Sequence, residues 1–231
     1  MTTVVLFDID GTILWTDGAG RRAVHRALEE VFGAPAPEGL EFDGKTDPQI
    51  VRELMQLAGM APDSVNERLP HALTRYVELL GAELGDADHA DKIYPGVGAL
   101  IDELESRDDV LLGLLTGNVR EGALAKLTAV GIAPDRFRIG AFGSDHADRP
   151  ALPAIARARA EVLLGHRVAG GDVVVIGDTP ADMGCGRGIG ARAIGVATGR
   201  YSAADLRACD PAAVFTDLSD TPAVVRAIMG A

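Results

Sequence analysis

Cysteine is scarce in this chain: Cys185 and Cys209 lie far apart, with no Cys-x-x-Cys pair and no paired histidines. That leaves no disulfide framework and no zinc-ligand pattern, and it fits a reducing compartment. Runs of lysine or arginine are missing, and acidic residues outnumber basic ones by 34 to 22, for a formal charge of -12. A nucleic-acid surface needs clustered cations to displace condensed counterions, so no nucleic-acid partner is expected. Long apolar runs are missing as well. The N-terminus passes from Met-Thr-Thr into the short run at residues 4–7, which has no basic start and is too short for a secretory segment or a membrane span. No membrane partner is expected, and the expected location is cytoplasmic. Neither an internal repeat nor a low-complexity segment is found.

What is present is enough apolar material, 47% of 231 residues, for one sizeable core or a core with a small insertion. Short runs apolar at nearly every position recur at residues 4–7, 110–115, 138–142, 172–177, 191–197 and 212–215. Such runs suit parallel strands covered on both faces, with helices supplying the crossovers. The expected fold class is α/β, a Rossmann-like doubly wound parallel sheet. Roughly 95 residues separate the first run from the second, where one crossover needs ~30. Residues 19–33, 47–59 and 64–84 show helical apolar spacing, so a helical domain is expected to be inserted there. The boundaries read as core at 1–15 and 92–231, insertion at 16–91.

In an open parallel sheet the ligand crevice lies beyond the carboxyl ends of the strands. The residues just past the runs are chemically loaded: Asp8-x-Asp10-Gly11-Thr12, Thr116-Gly117-Asn118, Arg149-Pro150, and Gly177-Asp178-x-x-x-Asp182. Carboxylates gathered at one edge repel one another and resist ionisation unless a cation sits among them. Mg²⁺, which takes oxygen ligands and retains waters for substrate phosphate to replace, meets that need. Arg149 and the donors around Thr116 are then placed to hold a phosphoryl group.

These four motifs, in this order and at the ends of the expected strands, resemble those of the haloacid dehalogenase superfamily. The likeness is to its phosphoglycolate-phosphatase-like branch, with a helical cap inserted after the first motif. The resemblance implies a Mg²⁺-dependent phosphatase acting on a small phosphorylated metabolite. It makes Asp8 the nucleophile that forms an aspartyl-phosphate and Asp10 the acid and base. It gives Asp8, the Asp10 carbonyl, Asp178 and Asp182 to the metal, and Thr116, Gly117, Asn118 and Arg149 to phosphate. Lys45, in the cap segment Phe42-Asp43-Gly44-Lys45-Thr46-Asp47, becomes a candidate for reading the leaving group. The family more often carries lysine where Arg149 stands, and Lys126 lies too far back in sequence to take that place.

Alternatives stay open at this level. The same nucleophile serves phosphomutases, and a receiver-like module also phosphorylates a strand-end Asp, though it has no use for Asp10 or a cap. Asn118 could simply cap a helix, Arg149 could be a surface charge, and Lys45 could sit on an ordinary capped turn. The glycines of residues 184–190 come after a helix start and precede a strand, so they read as a helix end and not as a dinucleotide loop. The five histidines show no ligand spacing, His146 alone standing near a motif; Trp15 is expected to pack at the hinge.

Overall fold

In the computed structural model, residues 2–85 and 92–230 are described. Six parallel strands form the sheet: β1 (Thr3–Phe7), β4 (Val110–Leu115), β5 (Ile139–Ala141), β6 (Val173–Gly177), β7 (Arg192–Val196) and β8 (Ala213–Phe215). Their order is β5-β4-β1-β6-β7-β8. β1 is central, pairing Val5 with Leu112 on one side and with Val174 on the other. Successive side chains of a strand go to opposite faces. Accordingly Val5 and Phe7 join one apolar cluster with Leu100, Leu104 and Ile228, while Val4 and Leu6 join another with Leu152, Ala156 and Ala160. The first cluster is closed by α4 (Val97–Glu105) and α9 (Thr221–Met229), the second by α6 (Leu152–Leu164). This two-sided cover explains why the central strands β1, β4 and β6 read as continuous apolar runs.

Between β1 and β4 come three helices, α1 (Ala19–Phe32), α2 (Asp47–Leu57) and α3 (Pro62–Leu84), with an apolar cluster of their own around Leu28, Leu54, Tyr76 and Leu80. Gly33, at φ 72, ends α1 in the left-handed conformation, and the Thr46 hydroxyl caps α2 by accepting from the Gln49 N–H. Two short strands absent from the sequence reading, β2 (Leu14–Trp15) and β3 (Lys92–Ile93), pair antiparallel where the helical segment leaves and rejoins the sheet. The expected end of that segment, at 91, lies outside the described residues.

After β6, α7 (Pro180–Cys185) runs into a single 3-10 turn, and Gly190, at φ 73, closes it ahead of β7. The glycines of this stretch therefore end a helix, as the sequence pattern suggests. Among the described residues, no helix is long and apolar enough to cross a membrane.

Candidate active site

Because β1 lies between β4 and β6, the residues just past these three strands meet at one edge of the sheet. Asp8 donates its N–H to the Ile176 carbonyl at 2.9 Å, and Thr116 donates its own to the Ala141 carbonyl at 3.0 Å. Each backbone is thus fixed by the next strand over. Asp8, Asp178 and Asp182, all buried, bring one carboxylate oxygen each to within 4.8 Å of one another. Gly11 shows why the first motif needs its glycine: φ is +82°, and a β-carbon there would stand 2.3 Å from Asp178 Oδ2.

The cation paired with this cluster is Arg149, itself buried, which reaches Asp8 Oδ1 at 3.2 Å and also Asp182 Oδ1. A surface charge it is not. Its Nε finds no hydrogen-bond partner among the described residues. Asp182 Oδ2 accepts from the Thr179 N–H at 3.0 Å and hydroxyl at 2.7 Å, closing the capping box of α7. Burial, with Asp182 and Asp10 adding repulsion and Arg149 opposing, pushes Asp8 up to about 7. Burial, then Asp182 and Asp8, pushes Asp178 up to about 9, against a 3.0 Å hydrogen bond from Thr12 Oγ1. One guanidinium leaves three buried carboxylates under-compensated, and the donor set is entirely hard oxygen. Those features fit a divalent cation. Asp8 and Asp178 would hold it, with Asp182 behind them, tied to Arg149 and Thr179.

These shifts predict a measurable effect on stability. Asp178 keeps its proton in the folded chain up to about pH 9, whereas its ordinary value is 3.8. Between those limits the folded state holds a proton that the unfolded state has lost, so rising pH destabilises the metal-free protein through this group. Melting curves of the wild type and Asp178→Asn, recorded without metal from pH 5 to 9, should diverge in favour of the variant as pH rises. A constant gap would remove Asp178 from the repelling cluster.

Asp10 faces a second cation. Lys126 Nζ donates to Asp10 Oδ1 at 2.8 Å and Oδ2 at 2.7 Å, and to Asn118 Oδ1 at 2.7 Å. The Asn118 amide nitrogen donates to Asp10 Oδ2 at 2.7 Å and to Thr116 Oγ1 at 2.8 Å. Asn118 is therefore not a helix cap. The helix α5 (Arg120–Ala129) starts from Val119, whose N–H is accepted by Asp47 Oδ2 at 2.8 Å. Lys126 is the residue that motif spacing misses. The signal lies in helical periodicity: Gly122, Ala123, Lys126 and Leu127 are the buried residues of α5, so a lysine interrupts an apolar stripe.

The helical segment covers the site through residues 42–47. The Asp47 N–H donates to the Gly117 carbonyl at 2.8 Å, and the Thr46 hydroxyl to the Ala147 carbonyl at 2.6 Å. A β-carbon on Gly117 would lie 1.9 Å from the Lys45 carbonyl oxygen, so the glycine of the second motif lets this segment dock. Asp47 is pushed up to about 6 by burial, with Lys126 and the Val119 N–H opposing. Lys45 lines the cavity, but its ammonium is paired with Glu53, which Gln49 also holds at 2.7 Å. The cavity holds about 200 Å³ and is bounded by Asp8, Asp10, Thr116, Gly117, Asn118, Arg149 and Asp178 below. Trp15, Arg21, Phe42, Lys45 and Tyr76 bound it above. Trp15 thus serves at the β2–β3 pair and as a wall. His146 bonds locally to Asp148 and does not line the cavity, and His89 lies outside the described residues.

A family model for haloacid dehalogenase-like hydrolases matches residues 2–190. A phosphoglycolate phosphatase of Cereibacter sphaeroides is 27% identical over 231 residues, spanning 97% of this chain and 98% of the relative. Another from that organism is 29% identical over 194 residues, spanning 81% and 82%. Among solved structures, CbbY from Rhodobacter sphaeroides in complex with phosphate has a TM-score of 0.65 at 19% identity, covering 95% of this chain and 96% of that one. A β-phosphoglucomutase from Clostridium difficile has a TM-score of 0.72 at 15% identity, covering 100% and 98%. At such identities the likeness to solved structures speaks to the fold alone.

Proposed function

The chain belongs to the haloacid dehalogenase-like hydrolases, and from that premise we propose that it is a Mg²⁺-dependent phosphatase of a small phosphorylated metabolite, phosphoglycolate or a sugar phosphate. The observation that carries this reading is the buried cluster of Asp8, Asp178, Asp182 and Arg149, of which Asp8, Asp178 and Arg149 share a cavity with Asp10. At about 200 Å³ that cavity is smaller than the ~300–1,000 Å³ typical of pockets for larger ligands. Helices α1–α3 act as a cap, and the small space beneath them favours a compact leaving group over a phosphoprotein.

In the proposed reaction an Asp8 oxygen forms a bond to phosphorus as the bond to the leaving oxygen breaks, and that oxygen takes a proton from Asp10. Water then attacks the phosphorus of the aspartyl-phosphate, gives its proton to Asp10, and returns the Asp8 carboxylate. Arg149, fixed against Asp8, holds phosphoryl oxygens together with Thr116 and the Gly117–Asn118 backbone. Bound Mg²⁺ supplies charge neutralisation and orients the phosphoryl group.

The test is phosphate release from a panel of phosphorylated two- to six-carbon metabolites with and without Mg²⁺. Phosphoglycolate or a sugar phosphate should be hydrolysed, with phosphate appearing free in solution and EDTA abolishing the reaction. Undiminished hydrolysis in EDTA would overturn the metal assignment. Transfer of the phosphoryl group to a sugar without phosphate release would make the protein a mutase.

A further inference from the structure

We propose that Lys126 is a positioning residue for Asp10: with Asn118 it clamps the carboxylate that moves protons in both halves of the reaction. The inference rests on the aspartyl-phosphate reading above. An ammonium has three N–H donors. Here two go to the oxygens of Asp10 and one to Asn118 Oδ1. None is left for the substrate, so Lys126 acts through Asp10, and the phosphoryl group is left to Arg149. The clamp closes on itself, because Asn118 also donates to Asp10 Oδ2 and is fixed by Thr116.

The surroundings explain why a lysine is kept in so costly a place. Lys126 is only 4% exposed, and an unpaired buried ammonium is strongly disfavoured. Among the described residues nothing comparable holds Asp10 from the other direction; its side chain is 41% exposed toward the cavity. The cap completes the enclosure: a β-carbon on Gly20 would lie 3.4 Å from Nζ and 3.8 Å from the Tyr76 hydroxyl, and the Asp47 carboxylate acts on Lys126 electrostatically. Without the lysine, the carboxylate keeps only the Asn118 contact to Oδ2 and gains freedom about its two side-chain torsions. A misplacement of ~1 Å in a reacting group is worth roughly 10²-fold in rate.

The leaving group makes this testable. An alkyl phosphate needs a proton on its departing oxygen, whereas p-nitrophenyl phosphate departs as a stable phenolate and needs none. Hydrolysis of the aspartyl-phosphate needs Asp10 as base in both cases. Lys126→Met should therefore form the phosphoenzyme from p-nitrophenyl phosphate at near wild-type rate, giving a burst of about one phenolate per site, and then turn over slowly. With phosphoglycolate, or whichever alkyl phosphate the wild type hydrolyses, formation itself should fall by roughly 10²-fold. Asp10→Asn should behave alike, and the double variant should be no worse than Asp10→Asn alone. An equal loss in the rate of phosphoenzyme formation from both substrates, a multiplicative loss in the double variant, or wild-type turnover by Lys126→Met would overturn the proposal. If Lys126→Met does not fold, Asn118→Ala, which removes the other half of the clamp, should show the same split between substrates, and its absence would overturn the proposal equally. Inactivity of the wild type toward both phosphates, or activity in Asp8→Asn, would instead mean that the phosphatase reading or its covalent intermediate is wrong.

Discussion

Asp8→Asn is expected to lower phosphate release by on the order of 10⁴-fold or more, because the amide has the shape of the carboxylate but cannot attack phosphorus. The fold should survive it. Asp8 is one of three buried acids in contact range, and its charge helps push Asp178 up, so removing that charge relieves repulsion in the metal-free protein. Metal-free Asp8→Asn should accordingly melt no lower than the wild type above pH 7, while Mg²⁺ should raise its melting temperature less. Turnover within tenfold of wild type would eliminate the covalent mechanism. A melting temperature well below wild type would instead assign Asp8 a supporting role that its surroundings do not suggest.

Arg149→Ala is the second large expected effect, and it has two parts. The guanidinium lies against Asp8 and Asp182 while almost fully buried. Removing one preorganised electrostatic donor lowers kcat by ~10²–10³-fold. Removing one partner of a buried ion pair also destabilises by about 3–5 kcal/mol, since the carboxylates left behind are uncompensated. Both losses should be measured, the first as kcat and the second by denaturant titration in EDTA. Mg²⁺ should recover much of the stability and little of the rate. Arg149→Lys should recover part of each, because the charge remains while the planar fork that spans Asp8 and Asp182 does not. A fully active Arg149→Ala would move the phosphoryl-holding role to another cation.

The sheet strands were legible from short apolar runs, which two-sided burial makes continuous in β1, β4 and β6, and α1–α3 were legible from helical spacing. The antiparallel pair β2–β3 was not. Two residues on each side carry no pattern, and their pairing depends on Leu14 meeting Ile93 across the whole insertion. The strand-end acids were readable for a related reason: in a parallel sheet, a residue just past an apolar run is a residue of the crevice wall. Lys126 escaped that rule since it arrives from a helix, one and a half turns inside α5, and not from a strand end. The capping alternative for Asn118 fails because the side-chain acceptors at the start of α5 are Asp47 and Ser144, which no local sequence pattern brings there. Sequence alone also leaves Lys45 looking free, whereas Glu53, two turns along α2, takes its charge.

The antiparallel pairing of Leu14–Trp15 with Lys92–Ile93 brings the two ends of the insertion together at a single neck. Once a neck is zipped, the entropy of closing whatever hangs from it grows only logarithmically with length. The pairing of β1 with β4 and β6 is thereby insulated from changes in the length of the segment above, whose other ties to the sheet domain include Thr46, Asp47 and the start of α5. Residues of that segment beyond those ties can be added or removed without retuning the register of β1 against its neighbours. The same neck marks where an engineer would graft a foreign cap.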